Sequence, residues 1–357
     1  MRIVVVGAGA IGGFVGGKLA ASGHDVVLVG RPPLVEAVRA RGLRVVEPWG
    51  ATAVHPKAVT DIAEAFDSTL PADLVLFCVK TYDTQAAIDE LRPVASQFRF
   101  ILSLQNGVSS EDILAQTFGA QKVIAGTITH PVVAPEPGVV RSEKKTGGVG
   151  VALVEGQDAA SWADLFSKTG LVARAYTDHR AMKWSKLLLN LIGNATSAIL
   201  NMNTVGVFAD RRLVWLEVMQ LRETVAVMDR LKIRPVPLPG YPVPLLVMAL
   251  RFLPVALLGL VMQPLVVRGR AEKLPSLLLE LNRKSGQSEV DELNGAVARN
   301  GASVGVATPV NATLAATLNL LTRLPAQREV WSENVGRLLL VVRAARNEWP
   351  ARSRPLK

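Results

Sequence analysis

The tightest constraint on the fold lies at the start of the chain. The run RIVVV at 2–6 feeds directly into Gly7-Ala8-Gly9-Ala10-Ile11-Gly12, and a helix-like stretch follows to Ala21. A β-branched run without polar alternation is the pattern of a strand buried on both faces of a parallel sheet. The spacing GxGxxG between strand and helix gives each glycine a task. Gly7 makes the tight turn, Gly9 lets a pyrophosphate approach the backbone, and Gly12 lets the helix pack closely on the strand. The helix start then offers unpaired N–H groups and a positive dipole end to phosphates. A second apolar run at 26–29 completes a β-turn-α-β unit in about thirty residues. The apolar start reads as a strand and not as a leader, because it breaks into glycine at Gly7 and no basic segment precedes it.

The alternation continues. Strand-like runs at 73–79 (DLVLFCV) and 100–104 (FILSL) flank a helical pattern at 84–91, which argues for a doubly wound parallel sheet. Short runs at 123–129, 138–141 and 148–153, set off by Gly and Pro, read as added antiparallel strands. From residue 179 the spacing turns helical, over 179–201, 207–232, 288–300 and 309–322. The expected fold class is therefore α/β: a doubly wound N-terminal domain over 1–176, an all-helical C-terminal domain over 177–345, and a basic, frayed tail over 346–357 with Pro350 and Pro355. Residues 235–267 hold seven prolines in a very apolar stretch, whose uninterrupted part is 16 residues long. A spanning helix needs about 20 residues. The segment reads as a Pro-kinked helical insertion that packs on the second domain or on a partner subunit, as in a homodimer. Peripheral membrane contact is the alternative.

Composition narrows the function. The 357 residues suit two domains. Lys+Arg minus Asp+Glu is 40 − 30 = +10, which favours acidic ligands such as nucleotide phosphates or small carboxylates. The excess is spread along the chain without a basic block, which argues against a nucleic-acid partner. The single cysteine, Cys78, excludes an internal disulfide framework and cysteine-rich metal sites. His24, His55, His130 and His179 are scattered without metal-ligand spacing. A reducing, cytoplasmic setting is the plain reading.

Further motifs sit where such sheets bind ligands. Val29-Gly30-Arg31 ends the second strand with no acidic residue to hold ribose hydroxyls. Arg31 can instead pair with a 2′-phosphate, which favours NADP over NAD; a solvated loop arginine is the alternative. Lys80 and Asn106 follow strand C-terminal ends, an ammonium for phosphate or carboxylate and an amide for ribose and substrate. Within 179–201, Lys186, Asn190 and Asn194 fall at i, i+4 and i+8, an arc of about 80° on a continuous helix. Lys183 and Ser197 share that arc. A polar stripe on an otherwise apolar helix needs partners, which a ligand cleft supplies; solvent and neighbouring backbone are the alternative. Ser288 with Asp291 resembles a capping box, which would put Glu289 at a first helical position favoured by the dipole alone.

Taken together, GAGAIGG at 7–13, VGR at 29–31, CVKT at 78–81, QNG at 105–107, GTITH at 126–130, KWSKLLLNLIGN at 183–194 and SEVDELNG at 288–295 resemble the ketopantoate reductase (2-dehydropantoate 2-reductase) family. The resemblance covers nearly the whole chain. It implies a Rossmann-type NADPH domain and a helical domain that holds a small 2-oxo acid, with reduction of ketopantoate to pantoate in pantothenate biosynthesis. It implies Lys186 as general acid, and Asn190, Asn194 and Ser276 as substrate ligands. It places Asn106 on both nicotinamide and substrate, and Lys80, the Val132 backbone and Glu289 on the cofactor side, Glu289 reaching cofactor or substrate. Thr204 stands where a further substrate-contacting Asn is expected. That departure and the long apolar insert keep a related reductase of another 2-oxo acid or ketone open. A non-enzymatic NADP-binding or membrane-associated protein is the third reading.

Overall fold

The computed structural model describes residues 1–352 apart from 68, 145, 157, 271–273 and 284–285. Its strands are β1 (Arg2–Val6), β2 (Asp25–Val29), β3 (Leu43–Glu47), β4 (Gly50–Val54), β5 (Lys57–Val59), β6 (Ala72–Phe77), β7 (Phe98–Ser103), β8 (Val123–Ile128), β9 (Val132–Glu136), β10 (Val139–Ser142), β11 (Val149–Leu153) and β12 (Ala173–Ala175). They form an eight-stranded sheet in the order β12-β11-β8-β7-β6-β1-β2-β5 and a four-stranded sheet in the order β4-β3-β10-β9. In the large sheet β5-β2-β1-β6-β7-β8 are all parallel. The strand order reverses between β1 and β2 on one side and β6 on the other, the switch point of a doubly wound fold.

β1 shows why RIVVV carries no polar alternation. Ile3 and Val5 enter one core with Phe14 and Leu19, while Val4 and Val6 enter the opposite core with Ile88, Leu91 and Leu114. Both faces are covered, so both must be apolar. The expected antiparallel additions need correcting at 123–129. β8 is the sixth parallel strand, and antiparallel pairing begins only with β11 on β8.

The four-stranded sheet explains the helix Ala10–Ala21, which is apolar all round. A Cβ on Gly12 would lie 3.0 Å from Val5, and one on Gly16 2.9 Å from Val5, both in the large sheet. A Cβ on Gly13 would lie 2.9 Å from Val140, and one on Gly17 2.5 Å from Val45, both in the small sheet. Two glycine pairs on two faces thus let two sheets close on one helix. Lys18 at its last turn forms a half-buried ion pair with Glu47, 2.9 Å apart.

The chain divides into two compact units, Met1–Lys186 with Val236–Pro242, and Leu187–Pro235 with Val243–Lys357. The expected boundary at 176/177 falls just before the helix His179–Leu191, in which the division lies. The prolines of 236–242 belong with the first unit. Their carbonyls accept from side chains: Tyr176 Oη donates to Pro237 O at 2.7 Å and Thr129 Oγ1 to Pro239 O at 2.8 Å. Proline offers only its carbonyl, so such donors must come from elsewhere.

The named elements of the second unit are helical. The apolar insert folds as two helices, Val243–Phe252 and Val255–Arg270, broken at Leu253-Pro254. Arg222 satisfies the carbonyls freed at that break, donating to Leu250 O at 2.9 Å and Leu253 O at 2.6 Å. Val243, Val247 and Leu250 are buried, while Leu245, Met248 and Phe252 are exposed on another face. No helix among the described residues is long and apolar enough to cross a membrane. The expected frayed tail is helical as far as it is described, within Val335–Arg352. Residues 353–357, with Pro355, lie outside the described residues.

Candidate active site

The glycine turn has the geometry its spacing implies. Gly7 adopts φ +90, and a Cβ there would sit 2.6 Å from Val79 N. A Cβ on Gly12 would meet Gly7 O at 2.4 Å. At Gly9 a Cβ would meet nothing within 4 Å, so the backbone there faces open space that a ligand can enter. Gly9 precedes the helix Ala10–Ala21 and no side chain caps it, leaving the first N–H groups for an anion. Gly7 N and Ala8 N donate to Val29 O at 3.2 and 2.9 Å, which ties the turn to the end of β2. Arg31, two residues on, is exposed and precedes Pro32-Pro33 at the next helix start. Cys78 ends beside this turn. Part of the residue reaches the surface, but burial of the thiol pushes it up to about 12, so it places no charge there.

Two strand-end loops lie at the same end of the parallel sheet as the turn. Lys80 follows β6 and Asn106 follows β7, and both are half-buried and bonded. Gln105 joins the loops: its Nε2 donates to Val79 O and to Thr84 Oγ1, each at 2.9 Å. Its backbone O accepts from Lys183 Nζ at 2.6 Å. Lys183 also forms an ion pair with Glu111 at 2.7 Å, with both side chains 3 % exposed. Sequence reasoning put Lys183 on the polar arc but missed its partner, 72 residues away. Val132 opens β9 and is buried, its place in the backbone fixed by pairing with Ser142. His130, close by, is held below its ordinary value chiefly by burial.

The lysine-bearing segment departs from the expected single helix. The first helix ends at Leu191, Gly193 takes a left-handed φ of 65, and a second helix runs Asn194–Leu200. The i+8 register from Lys186 to Asn194 therefore does not hold. Glu217 holds the break. Its carboxylate accepts from Gly193 N at 2.7 Å, Thr196 Oγ1 at 2.5 Å and Gln220 Nε2 at 2.7 Å, with the side chain fully buried. From 181 to 200 every residue is buried except Lys186 and Asn190, one turn apart. Ser197, expected on the polar arc, is fully buried, and its Oγ has no hydrogen-bond partner among the described residues.

Asn194 and Ser276 come together. Asn194 Nδ2 donates to Ser276 Oγ at 3.2 Å, and Asn194 Oδ1 accepts from Leu277 N at 3.0 Å. Asn194 thus caps the helix Ser276–Asn282, which fixes both residues. Glu280 on that helix accepts from Glu289 N at 3.0 Å, and both residues are buried. Ser288 does cap the turn Glu289–Glu292, accepting from Val290 N. Asp291 does not complete a capping box; its Oδ1 accepts from Asn319 Nδ2 at 2.7 Å. Glu289 stands at the first position of that turn, as the spacing suggests.

Residues 3–153 match the family described as ketopantoate reductase PanE/ApbA, and residues 178–322 match its C-terminal counterpart. The chain belongs to the ketopantoate reductase family. Among named relatives, the 2-dehydropantoate 2-reductase of Halobacterium salinarum is 37% identical over 204 residues, 56% of this chain and 65% of that one. The alignment therefore spans just under two thirds of that relative. The 2-dehydropantoate 2-reductase of Mesorhizobium japonicum is 28% identical over 356 residues and is covered completely, with 93% of this chain. Among solved structures, the ketopantoate reductase of the PanE/ApbA family from Ralstonia eutropha JMP134 superposes with a TM-score of 0.76 at 28% identity, covering 92% of this chain and 100% of that one.

Proposed function

We propose that this ketopantoate reductase family member reduces 2-dehydropantoate to pantoate with NADPH, a step of pantothenate biosynthesis, in the cytoplasm. The observation that carries the reading is the isolation of Lys186 and Asn190 as the two part-accessible residues in an otherwise buried stretch of twenty, 181–200. A solvated helix face would expose many residues, not one ammonium and one amide.

NADPH fits the residues of the glycine turn. Gly9 leaves room for the pyrophosphate against an uncapped helix start, and the exposed Arg31 guanidinium suits a 2′-phosphate. Lys80, Asn106, the Val132 backbone and Glu289 complete the proposed cofactor contacts. When bound, NADPH supplies the hydride; the chain supplies orientation and charge. Negative charge grows on the ketone oxygen as the carbonyl carbon is reduced. In this reading the Lys186 ammonium stabilises that charge and donates the proton. Asn190, Asn194 and Ser276 hold the substrate's carboxylate and hydroxyl, with Asn106 orienting it.

Steady-state rates with a panel of 2-oxo acids, each run with NADPH and with NADH, test this. Ketopantoate with NADPH is the expected best pair, and Arg31→Ala is expected to erode the cofactor preference. Turnover of bulkier 2-oxo acids without ketopantoate turnover would move the assignment to a related reductase. Thr204 favours that second reading, being fully buried where the family resemblance leads one to expect a substrate-contacting Asn.

A further inference from the structure

Three residues proposed for the reaction, Lys80, Asn106 and Lys186, sit on three separate segments of the first unit. Each lies within one residue or one helical turn of a member of a single buried polar cluster. Lys183 is one turn before Lys186 on the helix His179–Leu191. Its ammonium reaches Gln105 O at 2.6 Å, Gly126 O at 3.4 Å and the Glu111 carboxylate at 2.7 Å. Gln105 is the chain neighbour of Asn106, and its Nε2 donates to the carbonyl of Val79, the chain neighbour of Lys80. Glu111 lies in the first turn of the helix Ser110–Phe118, where the dipole favours its negative charge.

We propose that the Lys183–Glu111 pair, acting through Gln105, is a positioning device that sets the register of Lys80, Asn106 and Lys186 relative to one another. A buried ammonium with three oxygen partners has one low-energy placement. Sliding the helix by a fraction of a turn, or moving either loop, would strand a charge or a carbonyl away from water. A surface ion pair could stretch with little loss; this one cannot. With both side chains of the ion pair 3 % exposed, the part this cluster plays in the reaction is geometric. This inference rests on the proposed cofactor contacts of Lys80 and Asn106, with Lys80 taken to act, like Asn106, at the nicotinamide half of NADPH.

The test uses the full chain carrying Lys183→Met together with Glu111→Gln, which removes both charges and strands neither. Lys183→Met alone is the harsher comparison. Three readouts are taken on folded protein: NADPH affinity, affinity for adenosine 2′,5′-bisphosphate, and ketopantoate turnover. The double variant is expected to bind NADPH about tenfold more weakly. It should hold adenosine 2′,5′-bisphosphate as the parent does, because the glycine turn and Arg31 are untouched. Turnover at saturating NADPH should fall about 10²-fold, the scale of an ångström's misplacement. Equal losses for both nucleotides, or unchanged NADPH affinity in a folded double variant, would overturn the proposal. Loss of folding in both variants would assign the cluster to stability alone and overturn it as well. If the parent protein reduced no 2-oxo acid, the reductase reading would fail, and the two binding readouts would still decide this one.

Discussion

Two glycines interrupt the backbone at the places this molecule most depends on, and they do so in different ways. Gly7 turns the chain after β1 against the backbone of Cys78 and Val79, at the end of the adjacent strand β6. Its own oxygen is what a Cβ on Gly12 would strike, and Val79 N is what its own Cβ would strike. Gly193 breaks the lysine-bearing segment where a carboxylate 24 residues away, Glu217, accepts from its N–H. The first break is signalled by the local GxGxxG spacing, although the Val79 backbone that requires the glycine lies 72 residues away. The second is written in tertiary contacts, and the helical spacing of KWSKLLLNLIGNATSAILN runs through it without a mark. A motif therefore fixes the tight turn that leaves open space at Gly9, while a distant buried acid binds the break from which Asn194 starts its helix.

That contrast can be broken or sharpened by substitution. The largest stability effect is expected at Glu217→Ala, which leaves three donors without their acceptor in a dry site and should cost about 3 kcal/mol or more in chemical denaturation. An unchanged midpoint would mean that Gly193 breaks the helix unaided. Next, Gly12→Ala should cost about 1–3 kcal/mol, because the new methyl meets backbone oxygen at 2.4 Å. Gly9→Ala should change stability by only about 0.5 kcal/mol yet weaken NADPH binding about tenfold, since its methyl would fill the proposed phosphate space. If both substitutions acted alike, the division of labour within the glycine turn would be wrong.

The smallest effect concerns pH. Burial holds His130 below its ordinary value of 6.5, so the native protein resists a proton that the unfolded chain accepts. Stability from this group is present above that value and is lost as pH falls through it. His130→Asn should flatten the acid side of the stability curve below about pH 6.5. An unaltered slope would show that His130 takes no part.

Much of the first unit was legible because its signals are local. The glycine roles, the doubly covered β1 and the strand-end positions of Lys80 and Asn106 follow from spacing and sheet chemistry. The four-stranded sheet was missed for a physical reason: β4 is exposed along nearly its whole length, so it carries no burial pattern to read. β8 was misjudged as antiparallel because pairing direction depends on the crossover, not on the strand's own residues. Lys183, Glu111 and Glu217 had one available signal. Glu111 and Glu217 are charged residues on helix faces otherwise given to apolar side chains, as in VWLEVMQL around Glu217, and Lys183 lies on a polar arc of a mostly apolar helix. Such a charge needs a buried partner, but the sequence does not say which.

The central claim, that Lys186 donates charge and proton to a ketone held beside bound NADPH, is met most directly by Lys186→Ala. NADPH titration and ketopantoate turnover would be measured on the same folded preparation. Binding should stay within about twofold of the parent while turnover drops by about 10²-fold or more. Turnover close to the parent's, with NADPH still bound, would contradict it.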